Sequence, residues 1–155
     1  MRAVRVYVDT SVFGGTQDDE FAASSRRFFE RAQRGDYLVV VSRALIREIR
    51  LAPQPVREIL TALGPEELEF VDIDSEVESL ADAYIAAGVV GSGSRGDAIH
   101  VAAATVAGAD LVLSWNFKHI VNYDRIHKYN AVNLLNGYRQ IDIRSPMELT
   151  HGEEV

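Results

Sequence analysis

Val4-Arg5-Val6-Tyr7-Val8-Asp9-Thr10-Ser11 opens the chain with valines at alternate positions. A period of two sends successive side chains to opposite faces of an extended strand. The alternation stops at Asp9, so the segment predicts a first strand ending on a carboxylate, followed by a turn over residues 10–15. Working outward, residues 24–34 place Phe28, Phe29 and Ala32 at helical spacing and stop at Gly35, a natural C-terminal cap. Residues 37–41 form an uninterrupted apolar run, the signature of a strand covered on both faces, and Ser42 is placed to cap a helix through Arg50.

The same alternation continues beyond the break at Pro53 and Pro55. A helix is predicted over residues 56–63, then a strand carrying Leu68, Phe70, Val71 and Ile73. Ser75 with Glu78 reads as a capping box opening a helix to about Ala87, and the glycine- and serine-rich residues 88–96 read as a loop. Residues 97–107 are too apolar for a surface helix, which makes that helix central and buried. Leu111, Val112 and Leu113 form the next strand, residues 123–135 a helix and residues 140–143 a last short strand. Strands alternating with helices predict an α/β fold, a three-layer α/β/α sandwich around a mostly parallel sheet. One domain over residues 1–149 and a frayed polar tail over 150–155 complete the expected organisation.

The 155 residues are 47% hydrophobic, enough for one core. No run of eighteen apolar residues and no leader-like start appears, so the expected location is the cytoplasm, away from membranes. With no cysteine, any metal must be held by oxygen or histidine. A net charge of -7 argues against a broad basic face for nucleic acid, although acids gathered around cations lower net charge while making a site attractive to phosphate. The arginines at 26, 27, 31 and 34, and at 43, 47 and 50, read as two solvated helix faces.

In an open parallel sheet, ligands bind at the carboxyl ends of the strands where strand order reverses. Four polar residues fall at that edge: Asp9 after the first strand, Glu48 in the helix after the second, Asp97 at the start of the buried helix and Asn116 beyond the fourth strand. Each has a plainer reading, as a helix cap, a surface ion pair or a turn residue. Their joint placement favours a hard cation, Mg2+ or Mn2+, and phosphodiester hydrolysis is the chemistry such a site serves most directly. Thr10 and Ser11 stand ready to orient Asp9 or bind metal-bound water. His100 and His119 could contact phosphate or move protons, against the commoner role of a hydrogen-bonded structural imidazole.

Several segments resemble one family. Residues 6–15, Val-Tyr-Val-Asp-Thr-Ser-Val-Phe-Gly-Gly, resemble the opening of PIN-domain proteins. Residues 42–49 resemble their second acidic motif, 96–104 their third, and 113–122 (Leu-Ser-Trp-Asn-Phe-Lys-His-Ile-Val-Asn) the fourth in a bacterial subgroup. The resemblance implies a PIN-like sandwich, Mg2+- or Mn2+-dependent cleavage of RNA, and kinship to the VapC toxins of toxin–antitoxin pairs. Carried over position by position, it puts the metal-binding acids at Asp9, Glu48 and Asp97, with Asn116 where many members carry a further aspartate. An antitoxin partner and a homodimer are implied by the resemblance alone.

Two other functions compete. A haloacid-dehalogenase-type phosphatase also places an aspartate after its first strand, but needs a second acid two residues on, where this chain has Ser11. A PIN-like module that binds RNA or protein with little turnover is favoured by Asn116. On the nuclease reading, Asp9→Asn and Asp97→Asn abolish cleavage and, by relieving carboxylate repulsion, raise stability.

Overall fold

The computed structural model describes residues 3–151. Five strands, β1 Val4–Val8, β2 Tyr37–Ser42, β3 Leu68–Val71, β4 Leu111–Leu113 and β5 Asp142–Arg144, pair in parallel in the order β3-β2-β1-β4-β5. Parallel neighbours require crossovers, and helices supply them. These are α1 Thr10–Gly15, α2 Ala22–Gln33, α3 Arg43–Arg50, α4 Gln54–Ala62, α5 Ser75–Ala86, α6 Arg95–Val106, α7 Tyr123–Leu135 and α8 Pro146–His151.

The period of two divides each strand between two cores. Val6 and Val8 of β1, Val39 and Val41 of β2, and Leu111 and Leu113 of β4 pack with Phe13, Phe28, Phe29 and Leu45 from α1, α2 and α3. Tyr7, Val40, Val112 and Ile143 point the other way, toward Leu80, Tyr84, Val101 and Tyr129 from α5, α6 and α7. Both faces are covered, which is the expected three-layer sandwich. Helix α6 is the buried one: Ala98, Val101, Ala102, Ala103 and Ala104 are inaccessible to water. Small side chains there let α5 and the sheet approach closely.

Several boundaries differ from expectation, each for a local reason. Residues 10–15 form a short helix, not a turn, because Asp9 caps it by accepting from the Ser11 N–H. The cap of α5 is Asp74, one residue before the expected Ser75; its extended backbone lets Oδ1 accept from the Val77 N–H at 3.0 Å. A 3-10 turn, Ser92–Ser94, occupies part of the expected loop, and α6 begins at Arg95, so Asp97 lies within its first turn. The last strand is displaced to Asp142–Arg144 because the Ile141 N–H is taken by Asn130 Oδ1 at 2.7 Å. Residues 150–151 close α8, and the remainder of the expected tail, residues 152–155, lies outside the described residues. Gly35 ends α2 as expected, with φ +86° and its N–H on the Ala32 carbonyl.

Sequence-adjacent strands lie side by side from β1 to β3, while β4 joins the opposite side of β1. Strand order therefore reverses between β1 and β4, which opens the crevice at the carboxyl ends of those two strands.

Candidate active site

Asp9 leaves β1 at that crevice and is almost fully buried. Its Oδ1 accepts from the Ser11 N–H at 3.0 Å and from the Ser11 hydroxyl. Its Oδ2 accepts from the Ser114 hydroxyl at 2.6 Å. The cap and the carboxylate site are thus the same residue: the geometry that starts α1 also fixes the Asp9 rotamer. Ser114 was not singled out from the sequence. Its signal is a small polar residue immediately after a fully apolar strand, and its oxygen also accepts the Asn116 N–H at 2.9 Å.

Across the crevice, Asp97 is held on both oxygens. Asn116 Nδ2 donates to Oδ1 at 3.1 Å, and His119 Nδ1 lies 3.0 Å from Oδ2. Asn116 Oδ1 accepts the His119 N–H at 2.9 Å, so both ends of the amide have partners of the matching kind and its orientation is fixed. Asn116 therefore turns a nitrogen, not an oxygen, toward the acid. A second aspartate at this position would set two carboxylates against each other; asparagine removes that repulsion without a cation.

Glu48 is solvent-exposed on α3 and accepts from the Thr10 hydroxyl at 2.8 Å. Tyr7 of β1 is fully buried. Burial pushes its hydroxyl well above the ordinary phenol range, a hydrogen bond from Ser42 opposes the shift, and the charges of Asp9 and Glu48 add to it. The phenol stays neutral and sits 2.9 Å from His100 Nδ1. Tyr7 was also missed, because in the sequence it reads only as an inward strand residue.

The predicted residues thus share one edge but meet in small groups: Asp9 with Ser11, Glu48 with Thr10, and Asp97 with Asn116 and His119. Among the described residues, no three His, Asp or Glu side chains are grouped to hold one metal ion. The donor chemistry nevertheless fits a hard cation. All three acids offer carboxylate oxygen, and an oxygen accepting one hydrogen bond keeps a lone pair. Of the clustered arginines, Arg31 pairs with Asp36 and Arg43 with Asp72. Among the described residues no helix is long and apolar enough to cross a membrane.

Trp115 follows Ser114 and is fixed twice. Its backbone N–H donates to the Ser11 hydroxyl at 2.9 Å and its indole Nε1 to Ser25 Oγ at 2.8 Å. The indole lies against Gly15, where an added Cβ would stand 2.8 Å from both Nε1 and Ser25 Oγ. Gly15→Ala should therefore break that hydrogen bond and cost about 1–3 kcal/mol through overpacking. Chemical denaturation followed by tryptophan emission measures it, and an unchanged midpoint would show that the indole has room to move.

No family model matches the sequence, and no curated protein is significantly similar to it. Solved structures are similar in fold. One is VapBC2 from Rickettsia felis, solved bound to a DNA fragment from its promoter. It aligns with a TM-score of 0.58 at 11% identity, over 92% of this chain and 98% of that one. Another is VapC20 of Mycobacterium tuberculosis, described as a sarcin-ricin loop cleaving toxin, with a TM-score of 0.54 at 13% identity over 88% and 98%. At such identities the likeness concerns the fold. With its five parallel strands sandwiched between helices and its acids at the β1/β4 crevice, this chain has the PIN-domain fold of the VapC toxins.

Proposed function

We propose that the chain is a Mg2+- or Mn2+-dependent ribonuclease, the toxin of a toxin–antitoxin pair. The observation that carries this reading is the placement of Asp9, Asp97 and Asn116 where strand order reverses, with Glu48 beside Asp9 through Thr10, in a fold shared with a sarcin-ricin loop cleaving toxin. Asp9, Glu48 and Asp97 are the residues that would hold the cation. Bound there, it supplies an acidified water and charge stabilisation on a phosphoryl oxygen.

The chain's own residues do the positioning. Ser11 and Ser114 lock the Asp9 carboxylate, Thr10 orients Glu48, and Asn116 with His119 orients Asp97. His100, anchored by Tyr7 through Nδ1, would contact a phosphate oxygen through its other ring nitrogen. In the reaction water adds to phosphorus, the bond to the ribose oxygen breaks, and that oxygen leaves with a proton. An antitoxin covering the cleft, and a homodimer, extend the reading. The likeness to VapBC2, solved bound to a DNA fragment from its promoter, supports an antitoxin partner.

Incubation of mixed RNA with the protein in Mn2+, with and without chelator, tests the activity. Cleavage abolished by chelator is expected. RNA left intact at high protein concentration would instead favour the weakly catalytic binding module, the reading to which the Asn116–Asp97 bond lends support.

Asn116→Asp tests the cation without relying on activity. It replaces a donor 3.1 Å from Asp97 by a second carboxylate, so the metal-free protein should lose about 1–2 kcal/mol of stability. Mn2+ should then raise the melting temperature of the variant by more than it raises that of wild type. Equal increments in the two proteins would remove Asp97 from the metal site.

A further inference from the structure

A cleft of about 310 Å³ opens beside the carboxylate edge and shares Ser11 and Asn116 with it. One wall is aromatic: Phe21 stacks on Trp115 with ring centroids 4.2 Å apart and planes 20° from parallel. Phe117 packs edge-on to Trp115 at 6.1 Å and is 48% exposed, a large ring kept in water within two residues of Trp115. Gly14 also lines the cleft and carries no side chain there; a Cβ built on it would meet nothing within 4 Å. Asp18 lines it as well; its Oδ1 accepts from the Glu20 N–H at 2.9 Å, which leaves Oδ2 as an acceptor.

We propose that this cleft is a nucleobase pocket, in which one unpaired base of the RNA packs against Phe21, the partly exposed ring that the buried Trp115 backs, while its phosphate reaches the neighbouring acids. The inference rests on the ribonuclease reading of those acids. Flat, fixed aromatic walls are what a splayed base needs, since stacking is favourable for every base and is available only outside a duplex. Behind Phe21, Trp115 is already held, its backbone by Ser11 and its indole by Ser25, so little freedom remains to be lost on binding. The Asp18 carboxylate in the lining accepts from an exocyclic amino group, which makes adenine a suitable probe.

Trp115 is the only tryptophan of the chain, so its emission reports on this cleft alone. The experiment titrates the full chain with a short oligoadenylate and with a ribose-phosphate strand of equal length that lacks bases, scoring RNA cleavage in Mn2+ alongside. Oligoadenylate is expected to quench Trp115 and to bind at least roughly fivefold tighter than the abasic strand. Gly14→Leu, which adds a side chain to the lining at an exposed helical position, and Phe117→Ala should each reduce that preference while the melting temperature holds.

Equal binding of the two strands, no quenching by either, or a preference unchanged in both variants overturns the pocket. A protein segment seated in the cleft instead would produce that equality. Cleavage without base preference removes the pocket and keeps the ribonuclease. Base-dependent quenching without cleavage removes the ribonuclease and keeps a base-binding site.

Discussion

Asp97→Asn should lower the rate of RNA cleavage in Mn2+ at least roughly a thousandfold while changing stability by less than about 1 kcal/mol. The loss follows from removing a carboxylate proposed to hold the cation, whose charge stabilisation is worth several kcal/mol, each 1.36 kcal/mol being tenfold in rate. The fold should tolerate the change because Asp97 is only partly buried. Its neighbour His119 can present an unprotonated ring nitrogen to the new amide where it met Oδ2 before. Cleavage within tenfold of wild type would remove Asp97 from the chemistry.

Asp9→Asn is a less informative substitution, and here the structure changes the expectation drawn from charge repulsion alone. Asp9 accepts from the Ser11 N–H, the Ser11 hydroxyl and the Ser114 hydroxyl in a nearly water-free position. An amide there presents one oxygen and turns its NH2 toward a hydroxyl that was donating. Stabilisation by lost repulsion is therefore outweighed by the damaged cap and misplaced hydrogen bonds, a net loss of about 1–2 kcal/mol. Lost activity in this variant would mix chemistry with folding, whereas Asp97→Asn separates them.

The second large effect falls on stability. Asn133→Ala should lower unfolding free energy by about 2–4 kcal/mol and the melting temperature by about 5–15 °C. Asn133, Tyr84 and Thr105 form a buried polar network between α5, α6 and α7. The Tyr84 hydroxyl donates to Asn133 Oδ1, and Asn133 Nδ2 donates to Asn130 Oδ1 at 3.2 Å. Burial pushes the Tyr84 phenol well above its ordinary range, so it stays protonated and must place its hydrogen on an acceptor. Truncating Asn133 strands that hydrogen and leaves a cavity. Calorimetry on the variant alone and in a Tyr84→Phe background decides whether the hydrogen bond is the cause. A cost as large without the phenol as with it would leave only the cavity.

The parallel sheet was legible because covered strands and amphipathic helices impose different periods on the chain. Val4 to Val8 alternates, residues 37–41 run apolar, and α6 is too rich in alanine and valine to face water. The buried Asn133 was not legible. A single polar residue in a helical pattern looks like surface until its partners, 28 and 49 residues away in the sequence, are known. The register of caps was legible only to within a residue or two, as Asp74 and Ser75 show, since either side chain can serve and backbone extension decides between them.

For the site, its edge was legible in the sequence. Asp9, Asp97 and Asn116 lie where strands end and helices begin, and those junctions fall on one edge of any parallel sheet, with Glu48 further along the helix after β2. Their partnerships were not. That Ser114 clamps Asp9, that Tyr7 holds His100, and that Asn116 offers its nitrogen to Asp97 depend on contacts across 105, 93 and 19 residues of chain. Hydrophobic period and capping act over a few residues and are recorded locally. The orientation of a hydrogen-bonding group depends on whichever donor or acceptor the fold brings to it, and only the tertiary structure supplies that neighbour.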